Sequence, residues 1–546
     1  MRRVVLLVVL LGLGVTLIGN ARFDSGSSAG ASEERTASST ASQAATVDRA
    51  TLDSVLAGLA RAPSSVIAAN DAIGADRWQV AGFTGYGVRV AIVDTGFDGY
   101  QSQLGVTLPG TVHARSFRAD GRLESGSEHG TLAARIVHSI APRADLYLAN
   151  FSTVEEFSNL VAYLQAEQVQ VVSFSLGFVH NGPGDGTGPV DDIIGRSVAS
   201  GQLWTVAAGN WAQQHWSGTF TDRDGNGIND FAPGVEDNGR AYQAGDLITV
   251  SLRWDDSWGF ACTDYDLELF GPDGALAAAS RGSQACLGNP VESVQVLATK
   301  TGRYRVRIVQ VGSSGRTPRL DLLMLGAPDR SQPLDYFVTA GSLAEPADHA
   351  GVVTVGAENP FDNALVANFS SVGPTQDGRP KPDLVAPTGR ATGGEVTFSG
   401  TSAATPHVAG AAALLFEALP GAGAAQVAQE LRTRGGAAPA GGTGSTARSL
   451  QLGGLEGVGP VLPPGDGLAS LVGPTPEGPG VATLQYRGPD QFPARFSHLL
   501  LGGRSPSAFY RANAAGRFEA FIVGAPRVAD TFEVFRDGDI VLAVYR

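Results

Sequence analysis

Phe398-Ser-Gly-Thr-Ser-Ala-Ala-Thr-Pro-His-Val-Ala-Gly410 sets Ser402 behind a Gly-Thr turn and at the head of a small-residue, apolar run that reads as a helix. A helix apolar on every side belongs in the middle of a layered domain. A hydroxyl at its N-terminus has backbone N–H groups and the positive end of the dipole beside it, which suits a developing oxyanion. Serine alone is inert; it needs a base to take its proton and a third group to orient that base.

Upstream, Val88-Arg-Val-Ala-Ile-Val93 is a β-branched apolar run that ends in Asp94-Thr-Gly96. Asp94 therefore lies where a buried parallel strand meets its loop, the place at which open α/β sheets carry their sites. His129-Gly-Thr131 opens a segment with apolar residues at helical spacing that stops before Pro142. An imidazole titrates near neutrality, and a carboxylate on its second nitrogen fixes the tautomer. Asp94, His129 and Ser402 can thus serve as orienter, base and nucleophile. Further apolar runs at 145–149, 169–174, 203–207 and 352–355 read as strands, and helical patterns fall at 130–140, 154–166, 190–200 and 404–418. The alternation predicts an α/β fold, a mainly parallel sheet covered by helices on both faces.

These residues resemble the subtilisin family of serine peptidases, in the order Asp, His, Ser and in all three local motifs. Three further segments resemble it too: Val172-Ser-Phe-Ser-Leu-Gly177, Val206-Ala-Ala-Gly-Asn210, and Ser370-Ser-Val-Gly-Pro-Thr through Lys381-Pro-Asp-Leu-Val-Ala-Pro387. The resemblance implies that the Asn210 side-chain amide and the Ser402 N–H bind the oxyanion, and that Ser175, Leu176 and Gly177 pair with the substrate backbone as an added strand. Taken singly, Asp-Thr-Gly is more often an Asx turn and Gly-Asn merely a turn; the six motifs in one order carry the reading. His407, beside the nucleophile, reads as a helix-packing residue. Two positions depart from the family pattern: Leu132-Ala-Ala-Arg135 stands where His-Val-Ala-Gly is common, and Ala403 replaces the usual methionine. Neither removes a group that moves a proton or binds the oxyanion.

Between Asn210 and Ser402 the family-like text stops at Trp211 and resumes near Leu334-Asp-Tyr-Phe-Val-Thr-Ala-Gly341. Short alternating runs inside the gap, among them Leu247-Ile-Thr-Val-Ser-Leu-Arg-Trp254 and Tyr304-Arg-Val-Arg-Ile-Val309, predict an inserted β-sandwich. It resembles the jelly-roll-like pre-peptidase C-terminal domains of secreted bacterial peptidases. Cys262 and Cys286 lie in it, and in an exported protein they can form one disulfide. The insertion opens with Asp222-Arg-Asp-Gly-Asn-Gly-Ile-Asn-Asp230, similar to the calcium loops of thrombospondin type 3 and dockerin repeats. Asp222, Asp224, Asn226 and Asp230 are the candidate ligands of a structural Ca²⁺, although Pro233 stands where an EF-hand has its bidentate Glu. The other reading is a turn cluster that binds nothing.

Met1-Arg-Arg3, an apolar run to Ile18 and Gly19-Asn-Ala21 make the three parts of a secretory signal, too short for a firm membrane span. An uncleaved anchor is the alternative. The expected organisation is a signal at 1–21, a linker or short propeptide at 22–70, a catalytic domain at 71–210 and 328–437, the sandwich at 211–327, a flexible link at 438–466 and a small β-module at 467–546. With 546 residues and 43% hydrophobic composition the chain can bury a large core in two to four domains. Its charge of −14, with no basic stripe, argues against nucleic acid. The sequence thus predicts a secreted, monomeric serine endopeptidase acting on proteins or peptides, needing no cofactor for its chemistry and not stably inserted in a membrane. A silent binding protein is the rival; an esterase is disfavoured, since Gly-x-Ser-x-Gly is absent around Ser402 and the acid precedes the histidine.

Overall fold

The computed structural model describes residues 72–454, apart from 314, 327–331, 360–361, 392–396 and 440–446, together with the backbone of short strands at 8–10, 470–472, 480–487, 506–512, 518–522 and 540–545. The signal and linker expected over 1–70, and the link expected over 438–466, lie for the most part outside the described residues.

The central sheet runs in the order Arg448–Ser449, Leu384–Ala386, Val353–Asn359, Leu203–Ala207, Val171–Phe174, Arg89–Asp94, Asp145–Asn150, His113–Ser116. All of these pair in parallel; a ninth strand, Asp362–Val366, pairs antiparallel to Val353–Asn359. Successive side chains of a strand point to opposite faces, and both faces are buried here. Val90, Ile92, Leu146 and Leu148 pack on one face with helices His129–Ile140, Thr401–Ala418 and Ala424–Arg434. Ala91, Val93, Tyr147, Ala149 and Phe174 pack on the other with helices Val154–Ala166 and Pro189–Ala199. This doubly covered sheet is the expected α/β fold. It also explains why its strands read as continuous apolar runs rather than alternating ones.

Thr401–Ala418 is buried from Thr401 through Leu415, and its neighbour His129–Ile140 crosses it closely. A Cβ added to Gly410 would stand 2.8 Å from the Ile140 Cβ, so the close crossing needs glycine there.

Residues after Asn210 form two four-stranded antiparallel sheets. One has the order Val291–Leu297, Leu247–Trp254, Arg319–Leu325, His215–Thr219; the other, Leu276–Ser280, Asp264–Phe270, Gly302–Gly312, Asn238–Tyr242. Their facing side chains, including Leu252, Trp254, Tyr265, Tyr304 and Val306, make one core. A disulfide joins Cys262 to Cys286, S–S 1.98 Å, tying the segment before Asp264–Phe270 to the one after Leu276–Ser280. Near the C-terminus, Ser470–Val472, Gly480–Arg487, Ile540–Tyr545, Pro506–Ala512 and Phe518–Ile522 form an antiparallel five-stranded sheet in that order. Among the described residues no helix is long and apolar enough to cross a membrane.

Candidate active site

Asp94 ends the strand Arg89–Asp94, paired with Asn150, so its carboxylate sits at the C-terminal edge of the sheet. The side chain is fully buried. Its Oδ1 accepts the Thr95 N–H at 2.7 Å, and its Oδ2 lies 2.7 Å from His129 Nδ1. A carboxylate in that position accepts a hydrogen bond from Nδ1–H, so Nε2 of the neutral ring carries a lone pair. Nε2 is buried without a hydrogen-bond partner.

His129 is the first residue of its helix, and the following glycine has a geometric cause. A Cβ on Gly130 would stand 2.6 Å from the Phe97 ring and 2.7 Å from the Gly96 carbonyl, to which the Gly130 N–H donates at 3.0 Å. Gly130 therefore lets the start of the His129 helix dock against the loop that follows Asp94. The His129 ring meets Phe398 edge-on, with centroids 5.1 Å apart.

Ser402 is the second residue of helix Thr401–Ala418, whose N-cap is Gly400. Pro406, four residues on, has no N–H to give the Ser402 carbonyl, so the helix loses that bond. The Ser175 hydroxyl replaces it, donating to Ser402 O at 3.0 Å, while Ser402 Oγ donates to Ser175 O at 3.4 Å. Asn210 reaches the same turn. Its Oδ1 accepts the Thr401 N–H at 2.9 Å and the Thr401 hydroxyl at 3.1 Å. Because a backbone N–H can only donate, the amide oxygen must face Thr401, and Nδ2 points to the other side of the amide.

The structure thus joins Asp94 to His129, Asn210 to Thr401 beside Ser402, and Ser175 to Ser402 itself. Leu176 and Gly177 lie in strand Leu176–Phe178, whose backbone pairs antiparallel with Val8–Leu10, the described part of the N-terminal apolar run. This strand can therefore receive an extended chain along its edge. His407 is buried and bonds the Ala403 carbonyl through Nδ1 at 2.8 Å, a helix-packing contact. The second role of Ser175 and the Thr401 anchor were missed in the sequence; Pro406, a helix-breaking residue in an otherwise helical run, was the available signal for the first.

The acidic loop is closed on itself. Asp222 Oδ1 accepts the Gly225 and Asn226 N–H groups at 2.7 and 3.2 Å, its Oδ2 accepts Gly227 N–H at 2.8 Å, and Asp230 pairs with Arg223. Those amides hold the Asp222 carboxyl below its ordinary range. Among the described residues no group of three or more His, Cys, Asp or Glu side chains is arranged to hold a metal ion.

A family model described as the subtilase family matches residues 85–236 and 282–449. Subtilisin DY of Bacillus licheniformis is 32% identical over 149 residues, which are 25% of this chain and 53% of that protein. The chain thus spans about half the length of this curated relative. The CspB protease of Clostridium perfringens shares 18% identity at a TM-score of 0.49, covering 70% of this chain and 96% of that one. A cold adapted subtilisin-like serine proteinase also shares 18%, at a TM-score of 0.34, covering 68% and 90%.

Proposed function

This chain belongs to the subtilase family, and from that premise we propose that it is a serine endopeptidase acting through Asp94, His129 and Ser402. The observation that carries the reading is the buried His129 ring, tied through Nδ1 to Asp94 at 2.7 Å with Nε2 unpaired in the structure.

In the acylation step His129 Nε2 takes the hydroxyl proton as Ser402 Oγ attacks a peptide carbonyl. The oxyanion that forms is held by Asn210 Nδ2 and the N–H groups at the start of helix Thr401–Ala418. The imidazolium, steadied by ionised Asp94, gives its proton to the leaving amine. Water, deprotonated by the same ring, then frees the acyl group from Ser402. The substrate lies extended along Leu176–Phe178, bound by main-chain hydrogen bonds. The partners are therefore protein or peptide chains.

Export is the proposed destination, supported by the basic, apolar and small-residue order of the N-terminus and by the Cys262–Cys286 disulfide. Calcium, if held at Asp222, Asp224, Asn226 and Asp230, has a structural role and none in the chemistry.

Labelling by a fluorophosphonate tests the reading. One adduct per chain on the Ser402 peptide, lost in Ser402→Ala, supports it; a purified chain that neither labels nor cleaves an unfolded protein makes it a silent binding protein instead.

A further inference from the structure

Asn210 is gripped from two sides. Its side-chain oxygen is held by Thr401 of the nucleophile's helix. Its main-chain carbonyl accepts the side-chain amide of Gln214 at 3.1 Å. Gln214 sits where the chain turns out of the parallel sheet into the inserted sandwich, with its N–H on the Trp211 carbonyl at 2.8 Å. Both sheets of the sandwich hold it. From the first, Met324 N–H donates to the Gln214 carbonyl at 3.0 Å. From the second, Arg240 Nη1 donates to Gln214 Oε1 at 2.5 Å. Arg240 is buried, with Nη1 also within 3.4 Å of the Met324 carbonyl and its guanidinium 5.6 Å from the Tyr242 ring centroid.

The direction of each bond matters. A guanidinium only donates, so it forces the Gln214 oxygen toward Arg240 and the Gln214 NH₂ toward Asn210. A buried glutamine whose two ends are fixed in this way has one orientation, and Asn210 inherits it. Arg240 carries a charge into the sandwich core at a site where an apolar residue would pack without that cost; its bond to Gln214 is what the charge supplies.

We propose that Gln214, oriented by Arg240, is a positioning residue for Asn210, so that the inserted sandwich helps set the oxyanion hole. The proposal rests on the oxyanion role of Asn210 given above. Donors aimed at a developing charge act only when already in place, and misplacement by about 1 Å costs about 100-fold in rate.

The test is a double-mutant cycle on the full chain. Gln214→Glu keeps an oxygen for Arg240 but removes the N–H that meets the Asn210 carbonyl. It should lower kcat by between about 10- and 100-fold at unchanged KM, with the melting temperature preserved. In an Asn210→Ala background, itself down by about 10²- to 10³-fold, the same change should cost nothing further. Arg240→Lys, which keeps the charge and loses the planar fork, should repeat the pattern at smaller size and serves if Gln214→Glu folds poorly. Wild-type kcat in both variants, or losses that multiply with that of Asn210→Ala, would overturn the positioning role while leaving the triad standing. An unchanged kcat in Asn210→Ala alone would overturn the oxyanion assignment and this inference with it.

Discussion

Two buried seams of the molecule are built from different materials. The seam between helices His129–Ile140 and Thr401–Ala418 is apolar: Gly410 meets Ile140 there, and Val408, Ala411, Ala412, Leu414 and Leu415 lie fully buried in the same core. The seam between the sandwich and the catalytic sheet adds buried charged and polar groups to a small apolar cluster of Ala207, Trp211, Leu323, Leu325 and Ala344. Arg253 Nη1 donates to Glu345 Oε1 at 2.7 Å and to the Gly182 carbonyl at 2.9 Å, and its Nη2 lies 3.5 Å from Asp321. Asp321 also receives Gln376, with His215 Nε2 at 3.5 Å. Asp348 and Asp191 lie beyond Glu345. Apolar contact is non-directional: it brings His129 and Ser402 onto neighbouring helices with little regard to angle. Hydrogen bonds to fixed forks are directional, and the sandwich is oriented by them. The first seam answers to volume, the second to charge and pH.

The largest effect expected at the apolar seam is chemical. Ser402→Ala should lower turnover by about 10⁶-fold with an unchanged melting temperature, because a methyl group satisfies that packing. A variant that melts much lower would mean that the hydroxyl, through Ser175, is part of the fold. At the ionic seam the largest effect is on stability. Arg253→Met should cost about 3–5 kcal/mol, since it removes a buried cation shared by Glu345 and Asp321. Leu414→Ala, in the apolar seam, should cost a comparable 2–5 kcal/mol, that is about the usual price of a cavity. Denaturation at pH 7 and at pH values below 3.8 separates them: the Leu414→Ala loss should stay constant, whereas the Arg253→Met loss should shrink once the unfolded chain takes up the proton that folded Asp321 refuses. Burial pushes the Asp321 carboxyl up, but His215, Arg253 and Arg319 outweigh it and hold the group below the ordinary carboxylate range. Its contribution is therefore present above the unfolded pKa and lost as pH falls through the folded one.

A third test reverses that sign. Burial, with Asp348, Asp185 and Asp192 adding to it, pushes the Asp191 carboxyl up to about 8. Between its ordinary value of 3.8 and about 8 the folded chain keeps a proton that the unfolded chain releases, so stability falls as pH rises across that window. Asp191→Asn should flatten this slope and stabilise the protein near pH 9 by on the order of 1–3 kcal/mol; a parallel pH profile in the variant would rule out the shifted group. The smallest effect belongs to the surface loop. Asp224→Ala should change stability by less than about 0.5 kcal/mol in metal-free protein. If the loop binds calcium, chelation should lower the melting temperature of the parent and leave that of the variant unmoved.

The apolar seam was legible in the sequence and the ionic one was not. Val88 to Val93, the helical spacing after His129 and the small residues after Ser402 are local patterns, and the structure places strands and helices within a residue or so of most of them. The motif residues could be picked out for the same reason, since each lies in a short segment with its own shape. Arg253 and Glu345 are 92 positions apart, and Arg240 and Gln214 lie on different elements. No periodicity connects them. The available hint was an arginine inside an apolar strand, Leu252-Arg-Trp254, and an aspartate inside another, Leu320-Asp-Leu322. Such residues are buried only with partners, but the sequence does not say which.

The sandwich leaves the catalytic sheet at Asn210 and comes back to it at Gly341 and Ser342, whose N–H groups bond the Val372 carbonyl. Both ends of a module of more than a hundred residues are therefore stitched to the catalytic part of the chain, with Gln214 at one exit, bonded to Asn210. Regions of one chain open at different free energies, and a sandwich oriented by charge loosens under conditions that the apolar helices tolerate. On warming or acidification the chain should then lose any turnover before it loses its central sheet. The module would act as a fuse for the proposed activity, removing it while the scaffold that could restore it remains folded.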